Sequence, residues 1–127
     1  MILALKTDQS LTEIHLLDKD GKEIRKRIWD SGRTLARDIV GEIDKILAGN
    51  FNSLTGLVVY KGTGSFTGLR IGVTTMNTLS YSLNIPIVGV TGDSWLVNGL
   101  GLLSKNENHK IVLPEYGASP NITKAKK

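Results

Sequence analysis

At 127 residues the chain is long enough for one domain, and 40% apolar with 22% charged residues is the composition of a folded globular protein. No apolar run approaches the roughly 20 residues that span a bilayer, and the opening Met1-Ile-Leu-Ala-Leu-Lys6 is too short and too poor in basic residues for a signal peptide. The absence of cysteine excludes disulfides and thiolate metal sites and fits a cytoplasmic protein.

The net charge is +4, with the excess gathered at Lys22 to Arg27 and in Lys124-Ala-Lys-Lys127. A mild basic excess can favour RNA or other acidic partners, but no interleaved aromatics of an RNA-binding module accompany it, and the plainer reading of both runs is a solvated strand face and a basic tail.

In chain order, Ile2 to Thr7 predicts a short buried strand. Leu11 to Leu17 and Lys22 to Trp29 flank Asp18-Lys-Asp-Gly21, a hairpin signal. In the second arm Ile24 and Ile28 alternate with Arg25, Arg27 and Trp29, as in a half-exposed edge strand guarded by its cations. Asp30 or Ser31 is expected to cap a helix carrying Leu35, Ile39, Ile43, Ile46 and Leu47 at helical spacing, stopped by Gly49-Asn50. Leu57 to Tyr60 is the fourth strand.

A glycine-rich turn follows, then Leu69, Val73, Met76, Leu79 and Leu83 at spacings of three and four, a second helix ending near Asn84. Its other face is small and polar: Gly72, Thr75, Ser80 and Ser82. Ile87 to Val90 is the fifth strand. A third helix starts at Asp93 or Ser94, and Ile111 to Leu113 is a short strand or docking segment. The order β-β-β-α-β-α-β-α predicts a mixed α/β sheet flanked by helices, one domain over residues 1–113, with 114–127 an extended or disordered basic tail.

Strand, glycine-rich turn and helix is the arrangement that aims backbone N–H groups at an anion. Here the turn is Lys61-Gly-Thr-Gly-Ser-Phe-Thr-Gly-Leu-Arg-Ile-Gly72. Gly68 is followed by Leu69 and Arg70, so no Walker A Lys-Ser/Thr is present, and Gly62-x-Gly64-x-x-x-Gly68 misses the dinucleotide spacing by one. Ser65 sits in Gly-Ser-Phe-Thr-Gly, which is not a nucleophile elbow. His15 and His109 have no acid–nucleophile partners and read as surface residues. Asp18 and Asp20 belong to a turn, Glu42 and Asp44 lie on different helix faces, and no His/Asp/Glu cluster has metal-ligand spacing. A cation at Arg70, in the first turn of a helix, opposes the helix dipole and calls for an acidic partner, internally or on another protein.

Gly62-Thr-Gly-Ser-Phe-Thr-Gly-Leu-Arg-Ile-Gly72 closely resembles the Gly-Pro-Gly-Ser-Phe-Thr-Gly-Leu-Arg-Ile-Gly signature of the TsaB (YeaZ) family. The Met-Ile-Leu-Ala opening, Ile85-Pro-Ile-Val-Gly-Val-Thr91 and Pro114-Glu-Tyr116 are similar to that family's first strand, later strand and closing segment. The resemblance implies the ribonuclease-H-like, actin-like ATPase fold, as a five-stranded mixed sheet. It implies a non-catalytic subunit that binds TsaD in the complex forming N6-threonylcarbamoyladenosine beside the tRNA anticodon, with TsaE joining through the TsaB–TsaD pair and tRNA touched only indirectly or weakly.

It also implies no catalytic residue, cofactor or metal. The partner surface falls on residues 33–48 and 68–84. Its expected members are Leu35, Ile39 and Ile43, then Gly64, Ser65, Phe66, Thr67, Gly68, Leu69, Arg70, Gly72, Val73 and Met76.

Three departures stand out. Lys6 occupies the place of the family's strand-end aspartate, Thr63 replaces the signature proline, and most of the C-terminal subdomain is missing, which reads as a naturally minimised form. Two alternatives accompany this reading: a small nucleotide-binding ATPase or hydrolase of the actin-like fold, and a homodimeric module using the same helices.

Overall fold

The computed structural model describes residues 1–116, and for Phe66 the backbone only. The strands are β1 (Ile2–Lys6), β2 (Leu11–Leu17), β3 (Glu23–Asp30), β4 (Gly56–Gly62) and β5 (Ile87–Thr91); the helices are α1 (Leu35–Leu47), α2 (Phe66–Leu83) and α3 (Trp95–Ser104). The sheet order is β3-β2-β1-β4-β5. β1 pairs antiparallel with β2 and parallel with β4, and β4 pairs parallel with β5. The fold class expected from the element order is therefore the one observed.

Central β1 is covered on both sides, which is why its sequence is a continuous apolar run rather than an alternation. Leu3 and Leu5 join Ile14, Leu16, Leu57 and Val59 against α1 and α2, while Ile2 and Ala4 face Val58, Val88 and Trp95 of α3. A one-residue slip would exchange these two sets, so burial on both faces fixes the register Leu3↔Leu16 and Leu3↔Leu57. Each fully buried Leu, Ile or Met stabilises the fold by about 1.5–3 kcal/mol.

α1 stops where Ala48 (φ 51°) and Gly49 (φ 77°) turn left-handed, as Gly49-Asn50 leads one to expect. Its start differs from expectation. Asp30 ends β3, residues 32–34 form a 3-10 turn, and neither Asp30 nor Ser31 caps the helix. The buried Ser31 hydroxyl pairs instead with Thr12 Oγ1 at 2.8 Å, tying the loop to β2.

β3 is an edge strand, and it is more exposed than its alternation predicts. Ile24 (45% exposed) and Ile28 (46%) lie on the α3 side of the sheet, but α3 packs over β4 and β5, reaches β2 through Trp95, and leaves β3 uncovered. On the opposite face Arg27 Nε donates to Glu42 Oε1 at 2.8 Å, joining β3 to α1. That hydrogen bond, with the guanidinium charge, holds the Glu42 carboxyl below the usual carboxylate range. A carboxyl with a depressed folded pKa contributes stability above its unfolded pKa and loses it as pH falls through the folded value. The melting-temperature advantage of the wild type over Arg27→Gln is therefore expected to be constant near neutral pH. It should shrink as pH falls below about 4.3, the ordinary glutamate value, read by thermal melts in a pH series.

The other sheet edge is covered from within. His109 N–H donates to Ile87 O (2.8 Å), Gly89 N–H donates to His109 Nδ1 (3.0 Å), and the Asn77 amide bonds both the N–H and the C=O of Val112 at 2.9 Å. Ile111 to Leu113 is thus a docking segment rather than a strand. Of the expected tail, Glu115 is anchored, its N–H donating to Lys61 O at 2.6 Å; residues 117–127 lie outside the described part. Among the described residues no helix is long and apolar enough to cross a membrane.

Candidate functional site

The glycine turn sits where β4 ends and α2 begins, beside the turn that follows β1. Gly62 has φ 142°, and a β-carbon there would collide with the backbone of Glu115. A β-carbon on Gly64 would stand 2.5 Å from Asp8 Cβ; one on Gly68 would meet the Thr7 carbonyl, and one on Gly72 the Thr7 side chain. Thr7 Oγ1 donates to Gly68 O at 2.7 Å, and Ser65 N–H donates to Asp8 O at 3.1 Å. The glycines therefore serve close approach, and the guest they admit is the chain's own Thr7-Asp8 turn.

Lys6 completes this packing. Its Nζ donates to Asp8 Oδ1 at 2.6 Å and lies 4.7 Å from the centre of the Tyr60 ring. The Asp8 side chain is 7% exposed and that of Lys6 17%. An ammonium paired with the nearest carboxylate thus stands at the end of β1, beside the glycine turn. A protonated lysine offers no lone pair to a metal, and no metal-ligating cluster of His, Cys, Asp or Glu occurs among the described residues. The residues present do not fit a nucleotide with its metal.

The expected partner-surface residues divide into two sets. Leu35 (4% exposed), Ile39, Ile43, Leu69, Val73 and Met76 (0%) are buried against the sheet, and Gly72 is buried against Thr7. Their apolar spacing marks the core-facing stripe, and in the folded chain these side chains pack inward rather than outward. Gly64 is spent on Asp8 and Gly68 on Thr7. Ser65, Thr67, Gly68 and Leu35 do converge on one cleft between the starts of α1 and α2, together with Ser10, Ser31 and Arg33. Thr67 and Arg70 lie on the exposed side of α2, and the Phe66 side chain lies outside the described structure.

The exposed sides of the two helices carry residues the spacing did not single out. Ala36, Arg37, Val40 (60% exposed) and Gly41 lie on α1; Thr74, Thr78 and Tyr81 (90%) lie on α2, which packs beside it. Three further participants were missed. Thr7 and Tyr60 pack the turn, and Glu115 binds Lys61 Nζ at 2.7 Å.

His15 is a correction. It was expected at the surface, yet it is 8% exposed, with Nδ1 2.7 Å from Glu23 Oε1 and Nε2 3.0 Å from Glu13 Oε1, its ring edge-on to Trp95. α3 covers this part of β2. His109 is exposed, as expected.

Sheet order and element order together define a small α/β domain of the actin-like fold class, whose glycine turn is filled by its own chain. The family model described as TsaD, tRNA N6-adenosine threonylcarbamoyltransferase, matches residues 31–112, and the chain belongs to this family, on its TsaB (YeaZ) side. The TsaB protein of Bacillus subtilis, named for tRNA threonylcarbamoyladenosine biosynthesis, is 58% identical over 38 residues, 30% of this chain and 17% of that protein. Its namesake in Haemophilus influenzae is 27% identical over 110 residues, 84% of this chain and 46% of that one. YeaZ from Pseudomonas aeruginosa has the same fold, with TM-score 0.64 at 22% identity over 71% of this chain and 43% of its own. The chain spans less than half the length of these relatives.

Proposed function

We propose that this chain is a non-catalytic assembly subunit of the complex that forms N6-threonylcarbamoyladenosine on tRNA. It pairs with a TsaD-type transferase through the outward sides of α1 and α2, chiefly Ala36, Val40 and Gly41 with Thr67, Arg70, Thr74 and Thr78. TsaE joins through that pair, and the complex works in the cytoplasm. Residues 1–113 act as the folding unit.

The observation that carries this reading is the filled glycine turn. Lys6 neutralises Asp8 at the strand end where the resembled family carries an aspartate, and Thr7 occupies the space the glycines open. Such a domain keeps the shape of an actin-like ATPase and loses the means to hold a nucleotide. What remains for function is the helix pair launched by the glycine turn. Small side chains on its outer surface (Ala36, Gly41 and the threonines) allow another helix to approach closely.

Isothermal titration with ATP and magnesium tests the non-catalytic part. No heat of saturable binding is expected. Micromolar binding would instead restore the ATPase reading.

A further inference from the structure

The cations of β3 do more than line an edge. β3 lies at the border of the sheet, and Arg25 and Arg27 point to the α1 side, two residues and therefore about 6.6 Å apart along the strand. α1 brings Lys45 to the same place. Arg25, Arg27 and Lys45 line one shallow groove floored by Ile46, with Lys26 bordering it on a strand position whose side chain alternates to the other face, and Glu42 is the single carboxylate lining it. Glu42 does not cancel the site. It fixes one guanidinium, bonding Arg27 at 2.8 Å while the same group lies 5.4 Å over the Trp29 ring; its other oxygen is 3.7 Å from Lys45 Nζ. The groove thus holds three cations, Arg25, Arg27 and Lys45, against one anion, from two separate elements, with Lys45 76% exposed and Arg27 half exposed.

An edge needs only scattered charge to repel another strand. Convergence of a strand and a helix on one basic groove, with one guanidinium braced by a carboxylate and an indole, is the arrangement that follows a polyanionic backbone. We propose that this groove binds the phosphodiester backbone of an RNA. The choice of RNA among polyanions rests on the tRNA-modifying reading above. Contact is to phosphates alone, because no exposed aromatic platform for stacking bases lines the groove. The groove is formed by β3 and the end of α1, so RNA and a partner on the outer helix surface are accommodated together.

The test is fluorescence anisotropy of the full 127-residue chain against a labelled tRNA transcript, from about 50 mM salt upward. Saturable binding is expected, and Arg25→Glu/Lys45→Glu should weaken it by about tenfold or more. Each lost phosphate contact should lower the slope of log affinity against log salt by about 0.7–0.9. Lys124→Glu/Lys126→Glu/Lys127→Glu should cost less.

Circular dichroism of the double variant should match wild type, since both positions are exposed. No binding by the wild type overturns the proposal. So does wild-type affinity in Arg25→Glu/Lys45→Glu, loss confined to the tail variant, or equal competition by polyglutamate, which would mark an acidic protein as the occupant. The double variant should still pair with the transferase. A wild-type chain that binds RNA and fails to pair would sink the assembly reading and leave this one standing.

Discussion

Met76→Glu is expected to destabilise the monomer strongly rather than merely weaken an interface. Met76 is completely buried in the cluster that α2 shares with Leu3, Leu5 and Val59. A carboxylate there has no partner and must either stay ionised in an apolar medium or take up a proton, and both cost free energy. The cost is about 4 kcal/mol or more, against a total stability of about 5–15 kcal/mol for a small domain. Far-ultraviolet circular dichroism and a urea melt check it. A native spectrum with a near-wild-type midpoint would mean that Met76 faces outward.

Gly68→Ala is expected to cost about 3 kcal/mol, toward the upper end of what overpacking causes. The added methyl would meet the carbonyl oxygen of Thr7, a backbone atom that cannot rotate away, and would break the Thr7 Oγ1 bond to Gly68 O. The β1–β2 turn must then move, taking with it Asp8 and its pair with Lys6. Gly101→Ala is the matched control. Gly101 lies within α3 with open space around it, so the same change there should stabilise by about 0.5–1 kcal/mol through helix propensity. Thermal melts of the two variants should therefore shift in opposite directions. If both shift alike, the signature glycines are not packing positions.

The two variants separate the roles that a single stretch of sequence combines. The elements themselves were legible: Leu35, Ile39, Ile43, Ile46 and Leu47 mark α1, and all five are buried. The same stripe misled about the site. A resemblance names helices, but an apolar stripe names only the face turned inward, and Leu69, Val73 and Met76, expected at an interface, are buried in the folded chain. The outer residues Val40, Thr74 and Thr78 carry no periodic signal, since a surface for another protein need not look different from solvent-facing surface.

The glycine turn was legible as a tight connection, whereas its guest was not, because Thr7 lies 61 residues before Gly68. His15 was misjudged for a related reason. In Glu13-Ile14-His15-Leu16 strand alternation puts His15 on the polar side, and only the position of Trp95 on α3 encloses it.

Lys6 was legible as a departure from a metal-binding aspartate, and the structure adds what it does. It supplies an internal cation, bonded to Asp8 and resting over Tyr60. The glycine loop is accordingly a joint between β4, the β1–β2 turn and α2, and it sets the direction in which α2 leaves the sheet.

The most direct test of the assembly role is size-exclusion chromatography with light scattering of the chain alone, of its cognate TsaD-type transferase, and of the two mixed. A hetero-complex is expected, replacing any self-pair, and Val40→Glu/Thr78→Glu should abolish it while leaving the circular dichroism unchanged, because both residues are exposed. Separate elution of wild-type chain and transferase across micromolar concentrations would contradict the proposed role.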